Sequence, residues 1–435
     1  MKKFIAFMEE KVVPVAAKIG AEPHLAAIRD GFVTIIPIIM AGAIAILINN
    51  FHIDFYQNLM EHIFGPGWKQ LGGYVWNGSY AIMALLVCFT ISYHLTKGRG
   101  KDGLAAGVAS VGVFIILLAD LAKGTDFLGT NGLLLSIVVA LVIGDLMCVL
   151  LGNPKLVIKM PAGVPPAVAK SFASVFPTMI VIWGAALIQE IFIIFVHNTT
   201  IPAVVNKFIQ TPLQGVISSF WGVMILIIVI SNSLVLWFFG LHGANMMFPI
   251  IQSVLFPLTI ANMKLVEAGQ APKYIINDQF LNSFVNMGGA GLTICLIIAI
   301  FIVGKKSSDT QKVIAKLAVA PGVFNINEPI IFGLPICLDP IYVIPFIIAP
   351  LINCTITYLS MVRGIVPYPS VEIFWTVPPI LSGILGTNSW QGGVLAIILL
   401  IIDILIYIPF VIIAGDRDKK IQEAAEAEEA AKVEA

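Results

Sequence analysis

Apolar runs of membrane-spanning length recur along this chain, and they decide what it can fold into. A helix that crosses a bilayer needs about 20 mostly apolar residues, within a range of about 17 to 25. Runs of that kind lie near 27–49, 74–96, 103–119, 132–151, 178–197, 214–239, 243–261, 284–303, 338–358 and 391–413. With 58% of 435 residues hydrophobic and only 11% charged, against about 25% charged in a soluble domain, lipid is the solvent for much of the chain. The expected fold class is an all-α membrane protein. Several runs contain Pro or Gly, which lipid-buried helices tolerate when neighbours or water satisfy the freed backbone groups.

Cations in the short connections orient these helices. They gather in the N-terminal segment, in KGRGK at 97–101, at Lys155, Lys159 and Lys170, in KKSSDTQK at 305–312 with Lys316 beyond, and in GDRDKK at 415–420. Ten crossings put all of these on one side, taken as cytoplasmic, and put 50–73, 120–131, 198–213 and 262–283 outside. Residues 1–23 are charged and amphipathic, lack the apolar core of a cleavable signal, and suit a helix lying on the inner surface with Lys2, Lys3, Lys11 and Lys18 at the headgroups. Residues 421–435 are rich in Ala and Glu without an apolar face and read as a solvated tail, helical or not.

Formal net charge is zero, so no global field attracts nucleic acid. The five cysteines, Cys88, Cys148, Cys295, Cys337 and Cys354, lie in or beside apolar runs without CxxC or His/Cys spacing and are expected to be packing residues. No carboxylate cluster suited to a metal and no Walker-type loop is present, so no cofactor is expected.

Two apolar segments are broken: LAVAPGVFNINEPIIFGLPI at 317–336 and GIVPYPSVEIFWTVPPILSGILGTN at 364–388. Each is too interrupted for a spanning helix and too apolar for an ordinary loop. Irregular backbone at membrane depth survives only where protein buries it or water reaches it, so two re-entrant hairpins meeting from opposite faces are expected. The first carries Glu328 beside Asn325 and Asn327. An acid in such a segment points to function by default, the plainer reading being an ion pair or helix cap that holds the hairpin; amides with a carboxylate suit a polyhydroxylated ligand. In WFFGLHGANMMFPI, Gly240 and Gly243 bracket His242, with Trp237 and Asn245 near it; His242 can face a cavity or simply pack. Asn282 and Asn286 stand four apart, on one face of an α-helix. Trp375 in the second broken segment can stack on a sugar or anchor at the interface.

NINEPIIFGLP with GLHGAN upstream and the basic amphipathic start resembles the membrane (IIC) component of the bacterial phosphoenolpyruvate-dependent sugar phosphotransferase system, in its lactose/cellobiose/diacetylchitobiose branch, over residues 8–415. The resemblance implies a homodimer of ten-helix protomers with re-entrant hairpins in the bacterial cytoplasmic membrane, both termini cytoplasmic. It implies a division into a scaffold of about 1–240, a sugar-binding transport region of about 241–390, a last helix at 391–413 and a charged tail at 416–435. It implies the activity of a protein-phosphohistidine–sugar phosphotransferase: a β-linked disaccharide, with diacetylchitobiose or cellobiose favoured over lactose, enters in step with 6-phosphorylation by the phosphocysteine of a separate IIB protein. Carried onto this sequence, Glu328 and His242 are the catalytic pair. Trp237 and Trp375 are the stacking partners, and Asn325, Asn327, Asn245, Asn282 and Asn286 complete the expected sugar site. An ion-coupled sugar symporter with Glu328 and His242 as a proton relay is the alternative; a channel leaves Glu328 unexplained.

Overall fold

The structure, a computed structural model, describes residues 22–50, 54–120, 124–158, 160–161, 163–196, 199–226, 251–334, 336 and 339–434. Every regular element among them is helical. Among the described residues, seven helical stretches are long and apolar enough to cross a membrane: Pro23–Ile46, Gln70–Gly98, Thr130–Gly152, Pro166–Phe195, Asp278–Lys306, Ile341–Val362 and Trp390–Lys420. They coincide with seven of the expected runs. Gly103–Leu117 is apolar but shorter, because left-handed Ala119 (φ 66°) turns the chain soon after it. The runs at 214–239 and 243–261 lie partly outside the described residues, which omit 227–250.

The chain divides into two compact units. One comprises the described part of Met1–Val216 and Asn245–Pro257, the other that of Ile217–Ala244 and Leu258–Ala435. In the first, α1 (Pro23–Asn50), α3 (Gly103–Leu117) and α4 (Leu133–Gly152) pack around α2 (Met83–Gly98), and α5 (Val175–Phe195) packs on α3 and α4. Val87, Cys88, Ile91 and Leu95 of α2 are buried, and α3 turns Ala106, Gly107, Ala109 and Ser110 inward. Small residues let backbones approach where lipid supplies no hydrophobic drive between helices. Exposed side chains on α5 include Trp183, Leu187, Ile188, Ile191 and Ile194, an outer surface fit for lipid rather than water. Asp145 near the end of α4 bonds both His24 at the start of α1 (2.9 Å) and Arg99 after α2 (2.5 Å). The start of α1 and the 97–101 connection thus share one end of this unit.

In the second unit, α6 (Phe256–Glu267, from Leu258 onward), α7 (Thr293–Val303), α8 (Asp309–Val323), α9 (Glu328–Gly333), α10 (Pro340–Val362), α11 (Leu381–Thr387) and α12 (Trp390–Glu434) are built around α12, which packs on α7, α10 and α11. The tail is helical, since α12 runs on to Glu434. A Cβ on Gly383 of α11 would lie 2.6 Å from the carbonyl oxygen of Gly392 on α12, so that crossing requires glycine. Basic groups again gather at one end: Lys419 Nζ donates to Lys305 O (2.7 Å), Ser308 Oγ to Asp418 (3.3 Å), and Arg417 pairs with Asp339 (2.7 Å).

The first broken segment leaves this basic cluster at Ser308 and returns to it at Asp339. Its outgoing leg is α8, opened by a capping box of Ser308 and Gln311, and its return leg begins with α9. In the second, the N–H groups of Ser370 and Val371 both donate to Gly386 O (2.8 and 3.1 Å), so an extended leg folds back along α11. The run at 284–303 is not one continuous helix: a π turn at Leu281–Val285 ends at Asn286, and Gly288, Gly289 and Gly291 all take positive φ before α7 begins.

Candidate functional site

Three breaks meet inside the second unit: the glycine turn at 286–291, the turn at 324–327 between α8 and α9, and the tip of the second broken segment at 374–380. Asn325 joins them. Its backbone is left-handed (φ 63°), a conformation asparagine tolerates better than most residues. Its Oδ1 accepts from Gly288 N–H (2.7 Å), while Nδ2 donates to Trp375 O and to Val377 O (3.0 Å). Both amide hydrogens are thereby committed within the protein, so Asn325 serves as a strut. Asn327 adds a second strap, donating from Nδ2 to Ala290 O (3.2 Å). Gly289 sits under it with φ 92°, and a Cβ there would lie 2.7 Å from Asn327 Nδ2.

Glu328 follows directly, in the first turn of α9 and half-buried. A carboxylate is favoured there by the helix dipole, and Pro329 supplies the φ of a first helical turn without wasting an N–H. The 324–327 turn places the start of this short helix beside the glycine turn, to which Asn327 is bonded. Asn286 belongs to the same junction: its backbone carbonyl accepts from Gly289 N–H (3.0 Å), and its Oδ1 is buried without a partner among the described residues. A buried, unpaired amide oxygen is costly and is suited to receive a ligand hydroxyl. Asn282, half-buried, lies in the π turn. The two asparagines are therefore not joined by the α-helical turn expected from their spacing, Asn286 having left the helix (φ −112°, ψ 33°); π turns are frequent at functional sites. The half-buried Trp375 indole lies 5.6 Å from the Phe374 ring at a 44° tilt. Trp237, His242 and Asn245 lie outside the described residues.

Sequence reasoning passed over a buried polar cluster beside this junction. Gln279 Nε2 lies within bonding distance of Glu372 Oε2 (2.9 Å), Ile373 O (3.1 Å) and Asp278 Oδ2 (3.3 Å), and Thr259 Oγ1 donates to Asp278 Oδ1. Asn262 and Asn277 both donate to Pro369 O (2.9 Å each). The signal available was NDQ at 277–279, three consecutive polar residues opening an apolar run. Together these bonds tie the extended leg of the second broken segment to the helix preceding the glycine turn. Among the described residues no group of His, Cys, Asp and Glu could hold a metal ion, and Cys88, Cys148, Cys295 and Cys354 are free thiols, three of them buried.

A family model described as "Phosphotransferase system, EIIC" matches residues 29–350. This chain belongs to the EIIC family. The lichenan permease IIC component of Bacillus subtilis (strain 168) is 34% identical over 432 residues, covering 94% of this chain and 93% of that protein. The cellobiose-specific EIIC component of Lactococcus lactis subsp. lactis (strain IL1403) is 30% identical, covering 95% and 98%. The crystal structure of ChbC, the IIC component of the N,N'-diacetylchitobiose-specific phosphotransferase system, superposes with a TM-score of 0.86 at 33% identity, covering 96% of this chain and 99% of that one. The protein is thus a multi-pass membrane permease component of a sugar phosphotransferase system, a component that works with a IIB protein in sugar phosphotransfer. In this EIIC the described candidate residues Asn282, Asn286, Asn325, Asn327, Glu328 and Trp375 all lie in the second unit.

Proposed function

We propose that this EIIC carries a β-linked disaccharide, diacetylchitobiose or cellobiose in preference to lactose, across the bacterial cytoplasmic membrane, and that the sugar is released inside as its 6-phosphate. The relatives' sugars support the class of substrate. The observation that carries the reading is the strapping of Glu328's turn to the glycine turn and to the tip bearing Trp375, through Asn325 and Asn327.

Phosphoryl transfer needs a positioned acceptor hydroxyl, a place for its proton and stabilisation of charge on the transferred group. Glu328 orients the sugar hydroxyl and takes its proton. His242 donates to the hydroxyl oxygen or to an incoming phosphoryl oxygen. Asn282, Asn286 and Asn245 bind further hydroxyls, Trp237 and Trp375 stack on the rings, and Asn325 and Asn327 keep the turn in shape. The donor is the phosphocysteine of a separate IIB protein, which cannot enter the bilayer, so the bound sugar must change its access. Rigid movement of a sugar-binding part, about 241–390, against a dimerising scaffold, about 1–240, does this while keeping the sugar's hydrogen bonds. The division into two compact units supports that split. Ten spans, two re-entrant hairpins and cytoplasmic termini belong to the same proposal, supported by the return of 308–339 to one basic cluster.

The test is reconstitution in liposomes with labelled cellobiose or diacetylchitobiose, with and without phosphorylated IIB in the lumen. The expected internal product is sugar 6-phosphate, formed only when phospho-IIB is present. Concentrative uptake of unmodified sugar driven by a proton gradient, with no need for IIB, would overturn the reading in favour of a symporter.

A further inference from the structure

Behind the π turn of the candidate site, the second unit encloses an acid that nothing above uses. Asp403 on α12 is fully buried, as is Asn353 on the facing helix α10. Asn353 Nδ2 donates to Asp403 Oδ2 (2.8 Å) and to Phe284 O (3.2 Å). Asp403 Oδ1 and Asn353 Oδ1 are left, each buried and without a partner among the described residues.

Those two orphans are the remaining oxygens of groups already facing one another. Among the described residues, a carboxylate in that position would lie buried with a single amide donor and no cation, and the amide oxygen would be orphaned as well; such groups persist only when paired or neutralised. One hydrogen removes both deficits. We propose that Asp403 and Asn353 form a buried proton-binding site, in which neutral Asp403 donates from Oδ1 to Asn353 Oδ1 while Asn353 donates back to Asp403 Oδ2. The result is a cyclic acid–amide pair with two parallel hydrogen bonds. It occupies the amide N–H on the oxygen's side and leaves the other N–H for Phe284 O, as observed.

Among the described residues, the surroundings hold no competing charge. Elements packed on α12 bring Cys295 from α7 and Tyr342 and Cys354 from α10, and α12 itself adds Tyr407, all groups without positive charge. The π turn and α11 carry no titratable side chain. Lys305 and Lys306 lie against α12 near Lys419 and Gly415, about 18 Å or more along the helix from Asp403. The proton therefore holds α10 to α12 and, through Phe284 O, both to the π turn between Asn282 and Asn286.

Infrared spectroscopy of the full-length protein in lipid nanodiscs tests this without reference to the sugar. Other buried acids contribute bands, so the difference between variants is read. At neutral pH the wild type minus Asp403→Asn difference should contain the carbonyl stretch of a protonated carboxyl, sensitive to deuterium exchange. Asn353→Ala, which leaves the acid but removes its partner, should move that band to higher frequency. Absence of a protonated-carboxyl band from the first difference overturns the proposal. If Asp403→Asn does not purify as a folded protein, the Asn353→Ala spectrum decides alone, and no shift there overturns it. A third arm replaces choline by Na+ or K+ at constant ionic strength. Thermal stabilisation of the wild type but not of Asp403→Asn by either ion would assign the site to a metal cation instead of a proton, whereas equal midpoints in all three salts support the proton.

Discussion

Asn325 and Glu328 lie three positions apart, yet their substitutions are expected to fail differently. Asn325→Ala removes the partner of Gly288 N–H, Trp375 O and Val377 O at once and asks alanine to hold a left-handed backbone. A buried polar group left unpaired costs about 1–3 kcal/mol and the left-handed conformation about 1–2 kcal/mol. With relaxation and entry of water offsetting part of this, a loss of about 2–4 kcal/mol is expected, seen as a lower thermal midpoint in detergent. Glu328→Gln keeps shape and burial. It should leave the midpoint close to wild type while lowering sugar phosphorylation by phospho-IIB about 100-fold or more, the usual worth of a positioned acid–base group. A Glu328→Gln protein that transfers phosphate at the normal rate would remove Glu328 from the mechanism; an Asn325→Ala protein as stable as wild type would show that water replaces the strut.

The return segment from Ser308 to Asp339 depends on how its outgoing helix begins. Ser308 and Gln311 form a reciprocal capping box, with Ser308 N–H to Gln311 Oε1 at 2.7 Å and Gln311 N–H to Ser308 Oγ at 3.2 Å. The Gln311 amide then reaches Tyr342 Oη (2.5 Å) and Val411 O (3.2 Å), so the cap of α8 is also its attachment to α10 and α12. Loss of an N-cap costs about 1 kcal/mol. Ser308→Ala should therefore lower stability by about that much, and Gln311→Ala by more, because it also breaks the attachment. Equal midpoints for the two variants in thermal unfolding would mean that the tie to α10 and α12 contributes nothing. Inside the segment, Pro321 and the left-handed Asn325 stop the chain from forming the continuous helix its apolar content would otherwise favour.

For the whole molecule, the clustering of basic groups at one end of each unit matches the charge bias in the connecting loops, which predicts that 97–101 and 305–312 face the cytoplasm. Gly98 tolerates a side chain, since a Cβ there meets nothing within 4 Å. Cysteines introduced as Gly98→Cys and Lys305→Cys should react with an impermeant maleimide only after the membrane is opened, when labelling is followed by mass shift in a background with the native cysteines replaced. Reaction of either in intact cells would overturn the ten-span arrangement.

Seven helical stretches of spanning length, the two broken segments and the polar residues within them were legible in the chain, because lipid solvation acts on contiguous windows of about 20 residues and proline, glycine and buried amides disrupt such windows wherever they stand. The EIIC resemblance was carried by local motifs for the same reason. What each polar atom does was settled by tertiary structure. Asn325 is a strut because Gly288 and Trp375, 37 and 50 positions away, come to it. Gln279 joins the leg of the second broken segment because Glu372, 93 positions on, folds against it. Asp403 sits opposite Asn353, 50 positions back, with one oxygen unanswered. An amide or carboxyl has the same chemistry whether it binds a sugar, a proton or its own backbone, and only the groups that folding brings within about 3 Å select among those uses.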